Sequence, residues 1–283
     1  MRKARLQKAT YWLMRAATYF IVFVIASIIL KVVWNGLGVI SWEFLTTMPR
    51  RSGAEGGILP AIVGTLYIVL GTMAVALPLG MASAIYLSEY AKQGRFTRTI
   101  RLAIVTLAGV PSIVFGLFGL GLFVIFLRFG ASLIAGCLTL ACMILPIIIV
   151  SSEEALRAVP RSLRDGSLAL GATKWQTIRK NVLPYSIPGM LTGSILGVGR
   201  AAGETAPILL TVAAFYLPKL PKSIFDQVMA LPYHLYILAT QHPDVAKVRP
   251  MQYGTALVLL VLVLGVNLVA ILLRVSIRRR QRW

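Results

Sequence analysis

Two charged residues, Arg200 and Glu204, lie inside an apolar run at residues 187–212 that is long enough to cross a bilayer. Ionisable groups at membrane depth cost roughly 2.5–3.5 kcal/mol each on insertion scales, so they usually face protein or water and serve a function. Their spacing is expected to place both on one face of a helix. They form either an ion pair that fixes helix packing, or a polar site on a solute path where the guanidinium presents its planar fork to an oxyanion. Since a basic residue that lines a pore favours anions, we predict that Arg200, Glu204 and the adjacent Thr205 line the path of an anion.

The composition indicates a polytopic membrane protein. The chain has 283 residues, of which 58% are hydrophobic and 13% are charged, and its mean hydropathy is +0.80. Soluble domains carry about 25% charged residues.

The net charge of +20 raises the question of a nucleic-acid partner. The basic residues lie between apolar runs and no nucleic-acid motif is present, so we predict no nucleic-acid binding.

Six apolar segments of spanning length can be marked. If both chain ends are cytoplasmic, most of the 29 Lys and Arg residues lie in the cytoplasmic segments, and this asymmetry supports that orientation. The first segment has a basic start but no cleavage site, which favours an uncleaved signal anchor. We therefore divide the chain into residues 1–60 (tail, anchor helix and first outer loop), 61–273 (transmembrane domain) and 274–283 (basic tail). The segments are residues 12–34, 61–87, 102–127, 131–150, 187–212 and 253–273.

The inside segment at residues 151–184 is polar and predicts short helices. Helix formers at its start are followed by a break at Pro160, a second helix from about Arg161 to Leu170, and a bend or end at Gly171. A short amphipathic helix is expected over residues 172–180. The pattern alone favours a solvated connector, and the alternative is a compact projection that a soluble partner grips.

The outer loop at residues 213–252 is unusually apolar, so we expect short helices at the membrane interface that could help to receive an extracytoplasmic partner.

His234 and His242 lie in this loop without carboxylates or cysteines at ligand spacing. Cys137 and Cys142 are intramembrane and do not share a helix face, so we interpret them as packing residues. No metal site is predicted.

Part of the inside segment resembles the cytoplasmic signature loop of ABC importer permeases. That signature reads Glu-Ala-Ala, three residues, Gly, nine residues, Ile, one residue, Leu-Pro. The chain matches it at Gly171, Leu183 and Pro184, has Asp165 for the Glu, and departs from it at Gly166, Ser167 and Asn181. The resemblance implies a coupling loop that docks on an ATP-hydrolysing subunit. The residues assigned to this loop are Asp165, Gly166, Ser167, Leu170, Gly171, Ala172, Leu183 and Pro184.

Further runs resemble the permeases of the phosphate-specific (Pst) ABC importers. The form Gly203-Glu-Thr-Ala-Pro207, and Tyr253-Gly-Thr-Ala-Leu257 at the last apolar segment, are similar to the PstA-type subunit more than to its PstC-type partner. Sulfate and molybdate permeases are expected to carry Gly-Glu-Phe-Gly where this chain has Gly203-Glu-Thr-Ala206. The runs with this resemblance are residues 57–67, 78–90, 110–119, 153–160, 169–175 and 200–207.

This resemblance implies an all-α, type I ABC importer permease (MetI-like) fold with six transmembrane helices, five of them core helices and one added at the N-terminus. It implies half of a pathway for inorganic phosphate in the bacterial inner membrane, working by alternating access. The implied partners are a PstC-type permease, two ATPase subunits and an extracytoplasmic phosphate-binding protein. No Gly-x-x-x-x-Gly-Lys-Ser/Thr loop is present, so we predict a non-enzymatic chain without cofactors, whose partner ATPase uses ATP and Mg.

Three alternatives remain open. One is a permease for another oxyanion, such as sulfate, molybdate or phosphonate. Another is an intramembrane enzyme acting on phosphate groups through Arg200 and Glu204, although no nucleophile, general base or metal-ligand cluster accompanies the pair. The third is a purely structural or regulatory subunit. Glu204 itself has two possible roles, as a counter-ion of Arg200 in the empty path or as the acceptor of a hydrogen bond from protonated phosphate.

Overall fold

A computed structural model describes residues 2–53 and 55–280, and the described chain is mainly helical. A short antiparallel pair, β1 (Pro49–Arg50) and β2 (Glu55–Gly56), lies between the second and third helices. The helices are α1 (Arg2–Leu37), α2 (Trp42–Thr46), α3 (Leu59–Ile85), α4 (Arg95–Ala108), α5 (Ser112–Gly119), α6 (Leu133–Arg157), α7 (Arg161–Ala169), α8 (Lys174–Thr177), α9 (Leu183–Gly203), α10 (Ala206–Thr211), α11 (Leu231–Thr240) and α12 (Arg249–Arg280).

Three helices are extended by π-helical turns. The turn at Tyr86–Tyr90 continues α3, the one at Leu120–Phe126 continues α5, and the one at Ile178–Val182 joins α8 to α9. The last of these makes Lys174–Gly203 one continuous helix. The expectation that a separate helix would end before Leu183 and Pro184 is therefore wrong.

Five helices are long and apolar enough to cross a membrane, and a sixth span is reached when one bent pair is counted as a unit. The five are Thr10–Leu37, Leu59–Tyr90, Leu133–Arg157, Lys174–Gly203 and Arg249–Ile277, and the bent pair is Arg95–Ala108 with Ser112–Phe126, at 102°. The all-α fold is thus confirmed. The apolar segment at residues 102–127 is bent within its length, because Pro111 has no N–H to donate and disfavours helical backbone at Val110.

The fifth predicted segment is also broken. Helix α9 ends at Gly203, Glu204 has extended backbone with ψ of 135°, and α10 starts at Ala206. Pro207 explains the break, because its ring would clash with the carbonyl of Gly203 four residues earlier in a continuous helix. Helix α9 therefore ends within one turn after Arg200.

Helix α6 lies at the centre of the bundle and packs against α3 and α9. Leu140, Ile144 and Ile148 are fully buried in this core. A Cβ atom at Gly193 of α9 would overlap Ser151 of α6, so the glycine lets the two backbones approach closely.

Helix α12 packs on α9, and α1 lies outside on α12. The apolar side chains of α1 are exposed on the chain, as expected for a helix that faces lipid. Of the predicted tail at residues 274–283, residues 274–280 continue α12, and residues 281–283 lie outside the described part.

Candidate functional site

The structure brings Arg200 and Glu204 together as an ion pair. Nε of Arg200 donates a hydrogen bond to Oε1 of Glu204 at 3.2 Å, and the two side chains are 34% and 17% exposed. Gly197, one turn before Arg200, lies against Ile144 and Ile148 in the middle of α6. The pair is therefore deep within the apolar part of the bundle, where a charge needs a partner.

The pair differs from the expectation of two residues on one helix face. Arg200 belongs to the last turn of α9, whereas Glu204 lies beyond the helix end on extended backbone. Irregular backbone at membrane depth is tolerated only where it is buried in protein or lines a water-filled cavity. Thr205 follows as a half-buried residue, and its carbonyl accepts the first bond of α10 from Leu209 at 3.0 Å.

Glu204 borders a small cavity of about 10 Å³ between α3, α10 and the start of α11. A space of this size is just large enough for one water molecule. Thr65 of α3 lines the same cavity, and its hydroxyl already accepts a bond from the amide of Leu231 at 2.9 Å. The carboxylate of Glu204 thus lies at the edge of packed protein rather than inside a sealed core.

Most of the hydrogen-bond donors of the Arg200 guanidinium remain available to a ligand. Within the described part of the chain, only its Nε donates a hydrogen bond, and neither terminal nitrogen does. These two nitrogens form one edge of the planar fork that matches a tetrahedral oxyanion. The site can therefore offer donors to an anion without first losing the Glu204 pair.

Sequence reasoning missed Asn267, a polar residue of α12 near the pair. Its amide nitrogen is 3.0 Å from where a Cβ of Gly199 would lie, one residue before Arg200. Its Oδ1 is buried and has no hydrogen-bond partner among the described residues. A lone amide inside the long apolar run of α12 was the available signal.

Gly171 and Ala172, two of the predicted coupling-loop residues, lie in a compact turn between α7 and α8. Gly171 has a φ of 82°, and the amides of Gly171 and Ala172 donate to the carbonyls of Leu168 (3.0 Å) and Ser167 (3.2 Å). This is the Schellman arrangement, which favours glycine because a side chain is strained at positive φ. The break at Pro160, the helix after it and the end at Gly171 are confirmed.

Two further contacts fix the turn. Thr173 caps α8 in a reciprocal capping box with Gln176, and the hydroxyls of Ser167 and Thr177 are 3.0 Å apart. Leu170 projects outward and is 91% exposed. A rigid turn with an exposed apolar tip is well suited to be gripped by a partner.

The other predicted loop residues are divided between the two sides of this turn. Asp165 and Gly166 are exposed on α7, whereas Leu183 and Pro184 lie in the first turn of α9. The turn and α9 are therefore joined by one continuous helix, Lys174–Gly203.

An ion-pair network that the sequence reading missed ties α7 to its neighbours. The terminal nitrogen of Arg164 donates to Glu89 at 2.7 Å and to the carbonyl of Leu156 at 2.8 Å. Glu153 of α6 accepts bonds from Arg101 of α4 and Arg157, both at 2.7 Å. No local pattern in the sequence predicts these contacts, because Glu153 and Arg101 are 52 residues apart and Glu89 and Arg164 are 75 residues apart.

The comparisons with known proteins agree with this architecture. A family described as "Binding-protein-dependent transport system inner membrane component" matches residues 76–283. The chain is 35% identical to the Probable ABC transporter permease protein YqgI of Bacillus subtilis over 84% of its own length and 85% of that protein. It is 40% identical to the Phosphate transport system permease protein PstA 1 of Mycobacterium tuberculosis over 80% of its length and 72% of that protein.

Among solved structures, the fold is similar to a chain in the crystal structure of a bacterial alginate ABC transporter in complex with an alginate pentasaccharide-bound periplasmic protein. The TM-score is 0.63 at 15% identity, and the match covers 95% of this chain and 92% of that one. At this identity the likeness concerns the fold alone.

Proposed function

This chain belongs to the family of inner-membrane components of binding-protein-dependent transport systems, and we propose that it is a permease subunit of an ATP-driven importer of inorganic phosphate. Its similarity to a phosphate transport permease covers most of the chain. It is a multi-pass membrane protein, and the proposed orientation has both ends in the cytoplasm. The proposed catalyst of ATP hydrolysis is a partner, so this chain itself performs no chemical step.

The observation that carries the proposal is the Arg200–Glu204 pair at the break between α9 and α10. Broken helices with polar groups near mid-membrane form substrate-binding sites in transporters. Arg200 would donate from its terminal nitrogens to two phosphate oxygens, because guanidinium and phosphate pair bidentately. Phosphate would therefore be held where the helix geometry can change.

Glu204 gives this binding site a second function. It neutralises Arg200 when no anion is present, so that the free cation does not trap an anion too strongly. It also offers an acceptor for a hydrogen bond from protonated phosphate, because phosphate carries a proton at neutral pH and sulfate does not. A carboxylate beside the guanidinium thus favours a protonated oxyanion over an unprotonated one.

The proposed docking site for the ATPase is the α7–α8 turn. Leu163, Leu168 and Leu170 are exposed on or beside α7, and apolar side chains at a rigid projection fit a groove in a soluble subunit. Because α8 continues into α9, closure of the ATPases would re-aim the helix that carries Arg200. ATP and Mg belong to that partner, and the absence of a cofactor or metal on this chain stays a prediction.

The remaining proposed partners are a PstC-type permease, the second ATPase copy and a phosphate-binding protein outside. Arg200 is one-third exposed on the isolated chain, which fits a path formed between two permeases rather than through one. The family description itself includes a binding protein.

The test is transport by the assembled complex in proteoliposomes with ATP inside the vesicle on the ATPase side and the phosphate-binding protein on the other. We expect uptake of labelled phosphate that requires ATP and is not inhibited by excess sulfate. Uptake of sulfate, molybdate or a phosphonate in preference to phosphate would overturn the substrate, and chemical turnover of a phosphate ester by this chain alone would overturn the transport role.

A further inference from the structure

A second polar region of the chain is a basic cavity near the inner end of the bundle. It has a volume of about 990 Å³, at the upper end of the range for ligand pockets, and it lies between the end of α3, the start of α4 and the start of α7. Among the described residues that line it, six are arginines and Glu89 is the only acidic one. The arginines are Arg95, Arg98, Arg101, Arg157, Arg161 and Arg164.

Three of the six arginines pair with a carboxylate, and two of these share one. Arg164 is bound to Glu89 and two backbone carbonyls, and Arg101 is bound to Glu153, Gln93 and a carbonyl. Arg157 pairs with the same carboxylate oxygen of Glu153. These bonds form the wall of the cavity and hold its shape.

The other three arginines have no such partner. In the part of the chain that the structure describes, Arg95, Arg98 and Arg161 have no carboxylate within 4.0 Å. All three are exposed and line one cavity. Like charges held together repel each other, and an anion with several oxygen acceptors would remove the repulsion and use the guanidinium forks.

Helix α4, which contributes two of these arginines, has the character of an interfacial helix. It is bent by 102° from the following helix, so it does not run parallel to a span formed by that helix. Phe96 and Leu102 are 79% and 66% exposed on it, beside Arg95 and Arg98. Apolar side chains next to basic ones on such a helix suit the boundary between headgroups and acyl chains.

We propose that this cavity binds the phosphate group of an anionic phospholipid from the cytoplasmic leaflet, with its acyl chains beside the exposed apolar side chains of α4. The chemistry that Arg95, Arg98 and Arg161 recognise is the phosphate oxyanion, which free inorganic phosphate shares. The volume and the neighbouring apolar surface favour the lipid as its source, since basic pockets at the cytoplasmic side of membrane helices bind lipid headgroups. The inference rests on the proposed orientation of the chain. A bound lipid would bridge α4 and α7 and so hold the coupling turn against the bundle.

The test is lipid retention by the assembled transporter, taken from vesicles that contain phosphatidylcholine and phosphatidylglycerol and measured by native mass spectrometry. We expect the Arg95→Gln/Arg98→Gln/Arg161→Gln variant to retain several-fold less phosphatidylglycerol than the wild type. The matched control, Arg179→Gln/Lys180→Gln/Arg274→Gln, removes three cations that do not line the cavity and should retain as much as the wild type. Equal retention by all three proteins, or equal loss in both variants, would overturn the site.

Two further measurements keep the result interpretable. The corresponding triple lysine variant keeps the charges but loses the forks, so it should assemble and retain an intermediate amount of the lipid. Binding of labelled inorganic phosphate to the transporter in pure phosphatidylcholine, lost in the glutamine variant but kept in Arg200→Ala/Glu204→Ala, would assign the cavity to free phosphate and overturn the lipid source. Lipid retention does not depend on transport, so failure of the phosphate-import proposal would leave this readout unchanged.

Discussion

Arg200 and Glu204 stabilise each other at a depth where neither would be stable alone. Their 3.2 Å contact is partly exposed, so the pair is neither a sealed core ion pair nor a surface one. Removing one member of such a pair leaves an uncompensated charge, which is more damaging than removing both. Single substitutions at this pair must therefore be compared with conservative and double ones.

The first prediction concerns the guanidinium geometry of Arg200. Lysine keeps the charge but not the planar fork, so Arg200→Lys should reduce phosphate uptake and Arg200→Ala should reduce it further. Loss of one charge-assisted hydrogen bond, about 1.5–3 kcal/mol, corresponds to a decrease of roughly tenfold or more. The measurement is the initial rate of labelled phosphate uptake at equal amounts of assembled protein, and a wild-type rate in the lysine variant would contradict a role for the fork.

The second prediction concerns His234 in α11, which is outside the candidate membrane-spanning helices. Its ring is buried, neither nitrogen has a hydrogen-bond partner among the described residues, and burial lowers its pKa from 6.5 to about 4. Between these two values the unfolded chain binds more protons than the folded one. Stability is therefore complete above pH 6.5 and falls with the pH towards 4, by up to about 3 kcal/mol.

Thermal unfolding of the purified protein over this pH range measures the effect. We expect His234→Leu to lose part of the acid sensitivity, whereas His242→Leu, a half-buried histidine in the same outer loop, should keep it. Identical pH profiles for the wild type and the His234 variant would show that this ring does not contribute.

At the scale of elements, the α7–α8 turn and the continuous helix behind it connect the proposed docking site to the pair. The Arg164–Glu89 contact adds a second connection, from α7 to the π-helical turn that continues α3. Lys174 strengthens this side, since its ammonium group lies 4.9 Å from the centre of the Tyr90 ring. The turn is therefore joined to two core helices and is not a loose connector.

The third prediction concerns Gly171. No atom lies within 4 Å of a Cβ at this position, but its φ of 82° is strained for a side chain by roughly 1–2 kcal/mol. Gly171→Val should distort the turn and reduce co-purification of the ATPase, whereas Gly171→Asn should retain it, because asparagine tolerates this conformation. Full retention and normal uptake in the valine variant would mean that the loop is only a connector.

Local signals in the sequence predicted several elements and failed at others for identifiable reasons. Pro160 and Gly171 act within one turn of helix, so the ends of α6 and α7 were readable. The π-helical turn at Ile178–Val182 was not, because it lets Pro184 follow α8 without a helix end. The network around Glu89 and Glu153 joins residues far apart in the chain, which no local pattern reports.

At the scale of the whole molecule, hydropathy predicted the spans but not the breaks within them. Residues 102–127 and 187–212 are apolar on average, so their mean hydropathy hides the breaks at Pro111 and Glu204. In both places the helix ends close to a proline, which the mean hydropathy does not report. Arg200 and Glu204 could be predicted as site residues because charge inside an apolar run is visible in the sequence. The position of Glu204 beyond the end of α9 could not be predicted.

The fourth prediction concerns topology. On a Cys137→Ser/Cys142→Ser background, a cysteine at the exposed Leu170 should react with an impermeant reagent only after the cells are permeabilised. A cysteine at the exposed Phe225 should react in intact cells. The opposite labelling pattern would invert the proposed orientation and would also place the basic cavity outside.

The central claim is that Arg200 and Glu204 act on the transported phosphate. Its most direct test is phosphate uptake by the Arg200→Ala/Glu204→Ala variant, which removes both charges and so leaves no stranded ion in the membrane. We predict that this variant inserts, assembles with its partners and fails to transport phosphate. Uptake at the wild-type rate would show that the pair serves only helix packing and would contradict the account.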